Sequence, residues 1–491
     1  MNTHTTFNFF TSLARCCLLL LSCGCGLLEK APDYASPQPE PNSPCGSCGL
    51  GRYSSEEDRC VGGLESNEPL ACLEQVIFVS PSELPDSLSE ALKVSTLEDA
   101  LGKAKENDAY KAIVVAGPQK FYGPFDMVDG VSIYGGFNEE TFAPSEDRPK
   151  LVSSTPNPEG EMVGVRASQL VEAVSLNRID IEVEQNEQGP TTGVLLDGVI
   201  SFVLNDVNIS VGDAASGQDG ANGADGADGP RGMQGGGARE TTPGGGGAAG
   251  INESCLLSSG GAGGEGGALS SPGASGRDAA SGAKGGGPGQ DGESGLPGED
   301  GEDGAHASSW LYEQMTWRQA SPAMAGTDGT FGTGGGGGGG EDGRESYFGD
   351  GGDGGGSGGC GGQGGMPGAS GWPSVGVLVN QSTLRLQGKT SIQAGNGGDA
   401  GKGGLGGAGG SGGQGGPGLS RSGAGGSGAP GGRGGRGGDG VAGPSYGVLC
   451  VDDRKVFTNA LTIIKSKSGG VEVDGTKAPS ADISTQCEIA E

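Results

Sequence analysis

More than a third of residues 212–446 are glycine, and this concentration limits what the chain can fold into. Of the 109 glycines, 18 precede residue 212 and 4 follow residue 446, which leaves 87 among these 235 residues. Glycine brings no side-chain area to a core and loses more backbone entropy on ordering than any other residue. An apolar core must therefore come from the three aliphatic stretches, 73–211, 374–394 and 445–466.

The glycines repeat in two registers of three residues. Gly-x-y triplets run without a break from Gly217 to Gly235 and from Gly286 to Gly304, and Gly-Gly-x triplets run from Gly403 to Pro417. Collagen also needs glycine at every third position, but it needs three chains, and these runs are too short for a stable trimer. The Gly-Gly-x register predicts a polyglycine-II-like extended helix with the x side chains along one edge. A disordered loop is the alternative.

The aliphatic stretches carry a second repeat, in which four segments begin with Gly-Val, at Gly164, Gly193, Gly376 and Gly447. Alternating positions follow each start at offsets of 14, 16 and 18, one residue later after Gly164: Ile179, Ile181 and Val183; Val207, Ile209 and Val211; Thr390, Ile392 and Ala394; Leu461, Ile463 and Lys465. Each unit is predicted to form two short strands whose apolar face is buried only when units stack. Both glycine-rich tracts follow the second strand of a unit, which predicts insertions at one corner of a continuing repeat.

The stretch before this repeat predicts strands at 76–79, 112–116 and 131–137, with a helix that starts at Ser95 or Thr96. This order is similar to the amino-terminal part of right-handed parallel β-helix proteins of the pectin-lyase-like type. The resemblance implies an all-β right-handed parallel β-helix with an amino-terminal capping strand-helix unit and long glycine-rich insertions. An α/β domain of three strands and one helix is the alternative.

The first residues predict an export signal. An apolar run follows Arg15 and ends in Leu20-Leu21-Ser22-Cys23, which resembles the lipobox of bacterial lipoproteins. The run is too short to span a membrane. The resemblance implies lipidation of Cys23 and, because Gly24 rather than Asp follows, delivery to the outer membrane. A plain secretory signal cut near Ser22 is the alternative.

Cysteine usage fits an exported chain. Of the 12 cysteines, two lie in the signal and Cys23 would carry lipid, which leaves nine, so at least one is free or pairs between chains. The cluster near the amino terminus predicts a small module with two disulfides, zinc being the alternative; its members are Cys45, Cys48, Cys60 and Cys72. Further along, Cys255 with Cys360 could close a long loop, and Cys450 with Cys487 could pin the carboxyl-terminal tail.

An aromatic island interrupts the glycine between His306 and Met324. It contains two of the three tryptophans in the chain, and its large side chains are Trp310, Tyr312, Met315 and Trp317. We expect it to dock the glycine-rich loop onto the flank of the β-structure, or to contact a partner such as a glycan.

Catalytic and cofactor sites are not predicted. His4 and His306 are the two histidines, which excludes multi-histidine metal sites and makes a Ser-His-Asp triad untenable. The nearest approach to paired catalytic carboxylates is Asp452-Asp453 beside Arg454-Lys455, and we expect it to be a solvated turn, like Glu139-Glu140 and Glu56-Glu57.

Loosely bound calcium is compatible with the acidic side chains of the glycine-rich tracts; the candidates are Asp219, Asp225, Asp228, Asp350 and Asp353. The segment Gly434 to Val441 also fits one copy of a calcium-binding nonapeptide, a pattern that needs tandem copies. A net charge of −31 opposes nucleic-acid binding and suits a surface layer.

Taken together, these features resemble glycine-rich, PGRS-like β-helix surface lipoproteins of bacteria. The resemblance implies a non-enzymatic envelope protein at the outer membrane or cell surface, structural or adhesive, whose partners would be the membrane, through the lipid anchor, and glycans or other surface proteins. The alternative is a carbohydrate-binding or carbohydrate-active protein. The predicted organisation is a signal peptide at 1–22, a Pro-rich tether at 23–44, a Cys-rich module at 45–73, β-helix at 74–211, insertions at 212–373 and 395–444, a coil at 374–394, and a last coil with tail at 445–491.

Overall fold

The computed structural model of the protein describes residues 75–82, 92–313, 316–419, 421–451 and 454–490. Several features named above lie outside these residues: the lipobox with Cys23, the tether, the cysteine-rich module with Glu56-Glu57, Met315, and the Asp452-Asp453 pair. Within the described residues, no helix has the length and apolar character that crossing a membrane requires.

The described chain is nearly all-β. Helix α1 spans Leu97–Glu106, and a short 3-10 helix spans Leu256–Ser258. The strands are β1 Val76–Val79, β2 Leu92–Val94, β3 Ala112–Ala116, β4 Lys120–Gly123, β5 Phe125–Asp126, β6 Ser132–Phe137, β7 Lys150–Ser153, β8 Met162–Ser168, β9 Val174–Asn177, β10 Asp180–Val183, β11 Thr191–Asp197, β12 Phe202–Asn205, β13 Asn208–Val211, β14 Trp310–Glu313, β15 Thr316–Gln319, β16 Ser374–Asn380, β17 Leu384–Gln387, β18 Ser391–Gln393, β19 Ser445–Val451, β20 Arg454–Phe457, β21 Ile463–Lys465, β22 Ser480–Ile483 and β23 Cys487–Ala490.

Three parallel sheets hold these strands, apart from the antiparallel hairpin β14–β15. Sheet A has the order β2-β1-β3-β6-β9-β12-β17-β20-β23, sheet B β21-β18-β13-β10-β7-β4, and sheet C β22-β19-β16-β11-β8-β5. From β3 onwards the chain visits sheets A, B and C in turn, and one cluster of buried side chains draws on all three. The expectation of an all-β chain with parallel sheets is confirmed at this level.

The amino-terminal elements follow the local signals of the sequence. The Thr96 hydroxyl accepts a hydrogen bond from the Asp99 N–H at 3.1 Å, which caps α1, and Glu98 and Asp99 complement the positive end of the helix. The face of α1 with Leu97, Ala100, Leu101 and Ala104 is buried. The predicted helix and the three predicted strands of this stretch are confirmed, the strands as β1, β3 and β6.

The Gly-Val repeat stacks in sheet C. Val165, Val194, Val377 and Val448 pair in succession across β8, β11, β16 and β19. A Cβ on any of the preceding glycines would lie 2.4–2.6 Å from a backbone oxygen of the next strand and 2.4–2.8 Å from an isoleucine methyl group of sheet B. Glycine therefore recurs because each site touches both the next strand and the core.

The expected register is wrong in the last unit. Ile209 pairs with Ile392, but Ile392 pairs with Ile464, not Ile463, whose side chain is 55% exposed. A shift of one residue turns every side chain of a strand to its other face, and the chain takes one residue more between the paired positions of β19 and β20 than between those of β16 and β17. Each unit also has a strand in sheet A, such as β12 or β17, which the offsets did not reveal.

Candidate functional site: a glycine lattice and an aromatic groove

The glycine-rich tracts form a bundle of extended segments, here named the glycine lattice. Both tracts leave the sheets after a strand of sheet B, β13 or β18, and return at a strand of sheet C, β16 or β19. The long segments are segment 1 (213–236), segment 2 (290–307), segment 3 (324–341), segment 4 (349–373), segment 5 (395–416) and segment 6 (423–443), and shorter ones lie between 244 and 287. Neighbours are joined by N–H···O=C bonds at every third residue, which is the period of an extended three-fold helix.

Residues 351–360 of segment 4 are the buried centre of the lattice. The N–H groups of segment 4 donate to segment 1 from residues such as Cys360 and Gln363, and to segment 6 from Gly359 and Gly362, at 2.9–3.0 Å. Its carbonyl groups accept from segments 3 and 5. Because a three-fold helix presents successive residues in three directions, one segment can bond to several neighbours at once, and the lattice satisfies its buried backbone without a β-sheet.

The glycine register of each segment reflects how many of its faces are covered. Segments 1 and 2, with Gly-x-y triplets, lie at the edge, and most of their x and y side chains are exposed. Segments 5 and 6, with Gly-Gly-x triplets, contact neighbours on more sides. In the run Gly334 to Gly340 every residue is buried, and a Cβ would meet a neighbouring carbonyl at 1.9–2.5 Å. The triplet pattern of a segment, Gly-x-y or Gly-Gly-x, therefore indicates whether the segment lies at the edge or in the interior of the lattice.

Polar side chains of segment 1 form hydrogen bonds with the backbone of segment 5. From residue 213 to residue 228, every third side chain of segment 1 accepts a hydrogen bond from a backbone N–H of segment 5 at 2.7–3.1 Å; the acceptors are Asp213, Ser216, Asp219, Asn222, Asp225 and Asp228. The same arrangement joins Asp291, Asp300, Asp303 and His306 of segment 2 to N–H groups of segment 6, 133 residues further on. The same offset of 133 residues relates Pro297 to Pro430. Pro297 has no side-chain acceptor and Pro430 has no N–H to donate, so the pattern places the two residues where no such bond is needed.

The calcium candidates all accept hydrogen bonds from N–H groups of the lattice. Asp350 accepts from the Ala238 N–H, and Asp353 accepts from those of Gly235 and Gly418. In the nonapeptide-like segment, Asp439 accepts from the Gly403 N–H at 2.8 Å and pairs with Arg436. Over the described part of the chain, no three acidic, histidine or cysteine side chains come together as metal ligands.

Hydroxyl groups and disulfides tie the lattice and the tail to the sheets. Thr191 and Ser374, at the starts of β11 and β16, both donate to the Gly212 carbonyl, and Ser445 donates to that of Gly395. The structure joins Cys255 to Cys360 within the lattice and Cys450 of β19 to Cys487 of β23, the two pairings considered from the sequence.

The aromatic island forms the hairpin β14–β15, which docks on the outer face of sheet C. Tyr312 packs with Leu195 and Leu378 there, and its ring meets Trp317 edge to face at 5.2 Å. Trp310 stacks on Trp372, at the end of segment 4, with ring centroids 4.8 Å apart. Docking of the island, one of its two expected roles, is what the structure shows.

A groove of about 950 Å³ opens between this hairpin, strand β19 and the carboxyl-terminal segment 479–486. Its aromatic residues are Trp310, Tyr312, Trp317 and Tyr446, and its polar residues include Ser480, Thr485, Gln486 and Glu472. Among the described residues, the buried Trp310 Nε1 and Tyr312 Oη atoms find no hydrogen-bond partner, like Arg166 Nε on sheet C. Each such atom costs about 1–3 kcal/mol.

Burial also sets the electrostatics here. It raises the pKa of the Tyr312 hydroxyl above the usual range of tyrosine, and the Glu161 and Asp197 carboxylates add to the shift. Burial raises the pKa of Glu161 and of Tyr446 as well. Tyr312 and Tyr446 thus keep their protons at neutral pH and can donate hydrogen bonds.

The sequence pointed to one wall of this groove and missed the others. Trp310 and Trp317 stood out as large side chains in a glycine-rich tract. Tyr446 and the segment 479–486 are more than 100 residues away from them in the sequence, so nothing in the sequence linked them to the tryptophans. Of the acidic pairs, Glu139 accepts from the Ser82 hydroxyl at 2.8 Å, and Lys455 pairs with Glu488 on the neighbouring strand.

Comparisons with known proteins give no relative from which a function could be carried over. No protein-family model matches the chain, and neither the curated proteins nor the solved structures contain a significant match to it.

Proposed function

We propose that this chain is a non-enzymatic lipoprotein of a bacterial cell envelope, with a structural or adhesive role at the outer membrane or cell surface. In this proposal Cys23 carries the lipid, residues 24–44 are a tether, and the glycine lattice is the displayed body. The observation that carries it is the lattice itself, a body of hydrogen-bonded backbone with most of its acidic side chains exposed along its edges.

A rigid body of this kind suits contact outside the cell. Glycine segments bury almost no apolar surface, so the lattice draws its order from backbone hydrogen bonds and from its attachment to the sheets. The exposed carboxylates keep it hydrated and discourage non-specific association. Both properties fit a spacer or contact surface that must stay extended in water.

We further propose that the three sheets close into a right-handed parallel β-helix. The recurring order A, B, C and the buried cluster shared by the three sheets support this architecture. The two insertions would then leave from the same corner of successive coils, which explains how their segments come to lie side by side.

Lipidation can be tested by metabolic labelling with a fatty acid. We expect the chain to take up label and to sediment with the outer membrane, and Cys23→Ser to lose both properties. Cys25→Ser is the matched control and should behave like the parent. Label retained in Cys23→Ser would contradict the proposed anchor.

Surface display can be tested by trypsin treatment of intact cells. Arg239, Arg344 and Arg421 are exposed in turns of the lattice, whereas Arg433 lies in segment 6 with its N–H bonded to Asp300. We expect cleavage at the turns, protection at Arg433, and weaker attachment of cells that lack the chain. Cleavage only after the outer membrane is broken would place the protein in the periplasm and contradict a surface role.

The alternative of a carbohydrate-binding protein is favoured by one specific observation, the aromatic groove beside β19.

A further inference from the structure

We infer that the groove between the hairpin β14–β15, strand β19 and the segment 479–486 binds a neutral oligosaccharide. This deepens the proposed adhesive function, on which it rests, by naming a ligand class and a site. The groove volume of about 950 Å³ is within the range of small-ligand sites in proteins and has room for a short oligosaccharide.

The aromatic side chains supply apolar faces of the right kind. Trp310, Trp317 and Tyr446 are each only partly buried, so part of each ring is open to the groove. A sugar ring has a C–H face that packs on an aromatic ring and hydroxyl groups around its rim. Aromatic residues with a polar tip suit such an amphipathic ligand.

The unpartnered polar atoms are the second observation. Phenylalanine at 310 and 312 would pack the hairpin onto sheet C without burying Nε1 or Oη, so docking alone does not require Trp and Tyr there. Both atoms have almost no accessible surface, so a sugar hydroxyl reaches them only when the hairpin shifts on binding, and it then gives Trp310 Nε1 an acceptor and Tyr312 Oη a partner. Ligand binding would thus remove the cost of both atoms.

Charge selects among ligands. Among the described residues that line the groove, the charged side chains are Glu313 and Glu472, and basic ones are lacking. Glu313 lies 3.7 Å from Arg318, and Glu472 accepts from the Ala442 N–H. Anionic polymers and phosphates would meet carboxylates without a cation in the lining, whereas hydroxyl-rich neutral sugars would meet acceptors and the hydroxyls of Ser480 and Thr485.

Tryptophan fluorescence reports on this site directly, because the three tryptophans of the chain are Trp310, Trp317 and Trp372, in the groove or stacked against it. The purified full chain is titrated with neutral hexasaccharides of glucose, mannose, galactose and N-acetylglucosamine. We expect at least one to shift the emission saturably, with calorimetry giving the same dissociation constant. No change and no heat with any of them at 10 mM would overturn the inference.

Tyr312→Phe separates binding from folding. It removes an unpartnered buried hydroxyl, so the melting temperature should stay the same or rise, while the sugar should bind about three- to tenfold more weakly. Tyr446→Ala should weaken binding about tenfold, and Tyr122→Ala, an exposed tyrosine on β4 with 67% of its surface accessible, is the matched control. Unchanged affinity in both groove variants would overturn the site.

The outcomes also distinguish this inference from the proposed function. Cells that carry Tyr446→Ala but attach normally, while cells without the chain do not, would leave the adhesive role standing and remove the groove from it. Loss of attachment in both would support the two together.

Discussion

At the scale of single residues, the absence of a methyl group decides whether the lattice can form. Interior glycines such as Gly356 and Gly359 have a neighbouring carbonyl oxygen at 2.0 and 1.9 Å from where a Cβ would lie. Alanine there would push two segments apart and break bonds along both. Gly245 belongs to a short lattice segment but has nothing within 4 Å of that position.

We therefore expect Gly356→Ala to destabilise the chain by about 3 kcal/mol or more, the upper end of what overpacking costs. Gly245→Ala should change stability by less than about 1 kcal/mol, because its Cβ finds open space. Chemical denaturation of both variants measures the difference. Equal stability of the two would show that segments 4 and 5 do not pack as described.

The carboxylates along segment 1 predict a pH dependence. Hydrogen bonds from the Ser411 hydroxyl and backbone N–H lower the pKa of Asp228. A lowered pKa in the folded state means that Asp228 stabilises the fold fully above the unfolded value of about 4, and that this contribution is lost as pH falls through the folded value. Melting curves should show the parent more stable than Asp228→Asn at pH 6, with the gap closing by pH 2.5. Asn222→Asp, at an equivalent position, should make the stability of the chain depend on pH with the same sign. A stability difference between the parent and Asp228→Asn that stays constant from pH 6 to pH 2.5 would contradict the prediction.

At the scale of elements, one disulfide reinforces the strand pairing that holds the tail to the sheets. Strands β22 and β23 have four residues each, of which half are exposed and half partly buried. The Ser484 hydroxyl accepts a hydrogen bond from the Cys450 N–H at 3.1 Å, and the Cys450–Cys487 disulfide joins residues 37 apart. Cross-links of that span contribute about 3–4 kcal/mol in the chain-entropy account.

Replacing both cysteines, Cys450→Ser with Cys487→Ser, should raise amide exchange in 480–490 and leave β11 and β16 protected. Hydrogen exchange with mass spectrometry resolves the two regions. The parent under oxidising conditions is the control, and loss of protection in β11 would mean that the link supports the sheets as a whole.

Local signals in the sequence predicted the elements whose causes are local. Thr96 with the two acids that follow it marked the start of α1, and the Gly-Val pairs marked sheet C. The sheet A strands of the Gly-Val repeat were missed because their spacing from the Gly-Val pair varies: β12 begins 9 residues after Gly193, whereas β17 begins 8 residues after Gly376. Ile463 was assigned the paired position that Ile464 takes, because the strand register depends on the length of the preceding connection. Of the groove, the sequence marked only the aromatic island, because nothing near it in the sequence pointed to Tyr446.

At the scale of the whole molecule, the two insertions order each other through hydrogen bonds that run between them. The Gly223 N–H of segment 1 donates to the Leu405 carbonyl of segment 5 at 2.8 Å, and the Gly407 N–H of segment 5 donates to the Gln363 carbonyl of segment 4 at 2.8 Å. A disordered loop of the same composition would have none of these bonds, so the two alternatives raised by the sequence differ sharply in amide exchange.

We expect amides of 351–372 to exchange as slowly as those of β11 and β16, with half-lives far beyond the seconds or less of an unstructured glycine-rich chain. Exchange measured at the peptide level on the native protein tests this, and the urea-unfolded chain is the control. Fast exchange throughout 212–443 would restore the disordered alternative.

The bonding partners of segment 1 in segment 5 lie 183 residues further along the chain, and those of segment 2 in segment 6 lie 133 residues further. Such separations give slow folding, because a long loop must close before any bond forms. For most of its bonds, segment 1 must therefore wait after its synthesis until segments 4 and 5 have been made. Its composition makes this delay harmless: a chain of glycine and aspartate has little apolar surface with which to aggregate. The residues that let the finished lattice pack so closely are also those that let its unfinished parts remain soluble.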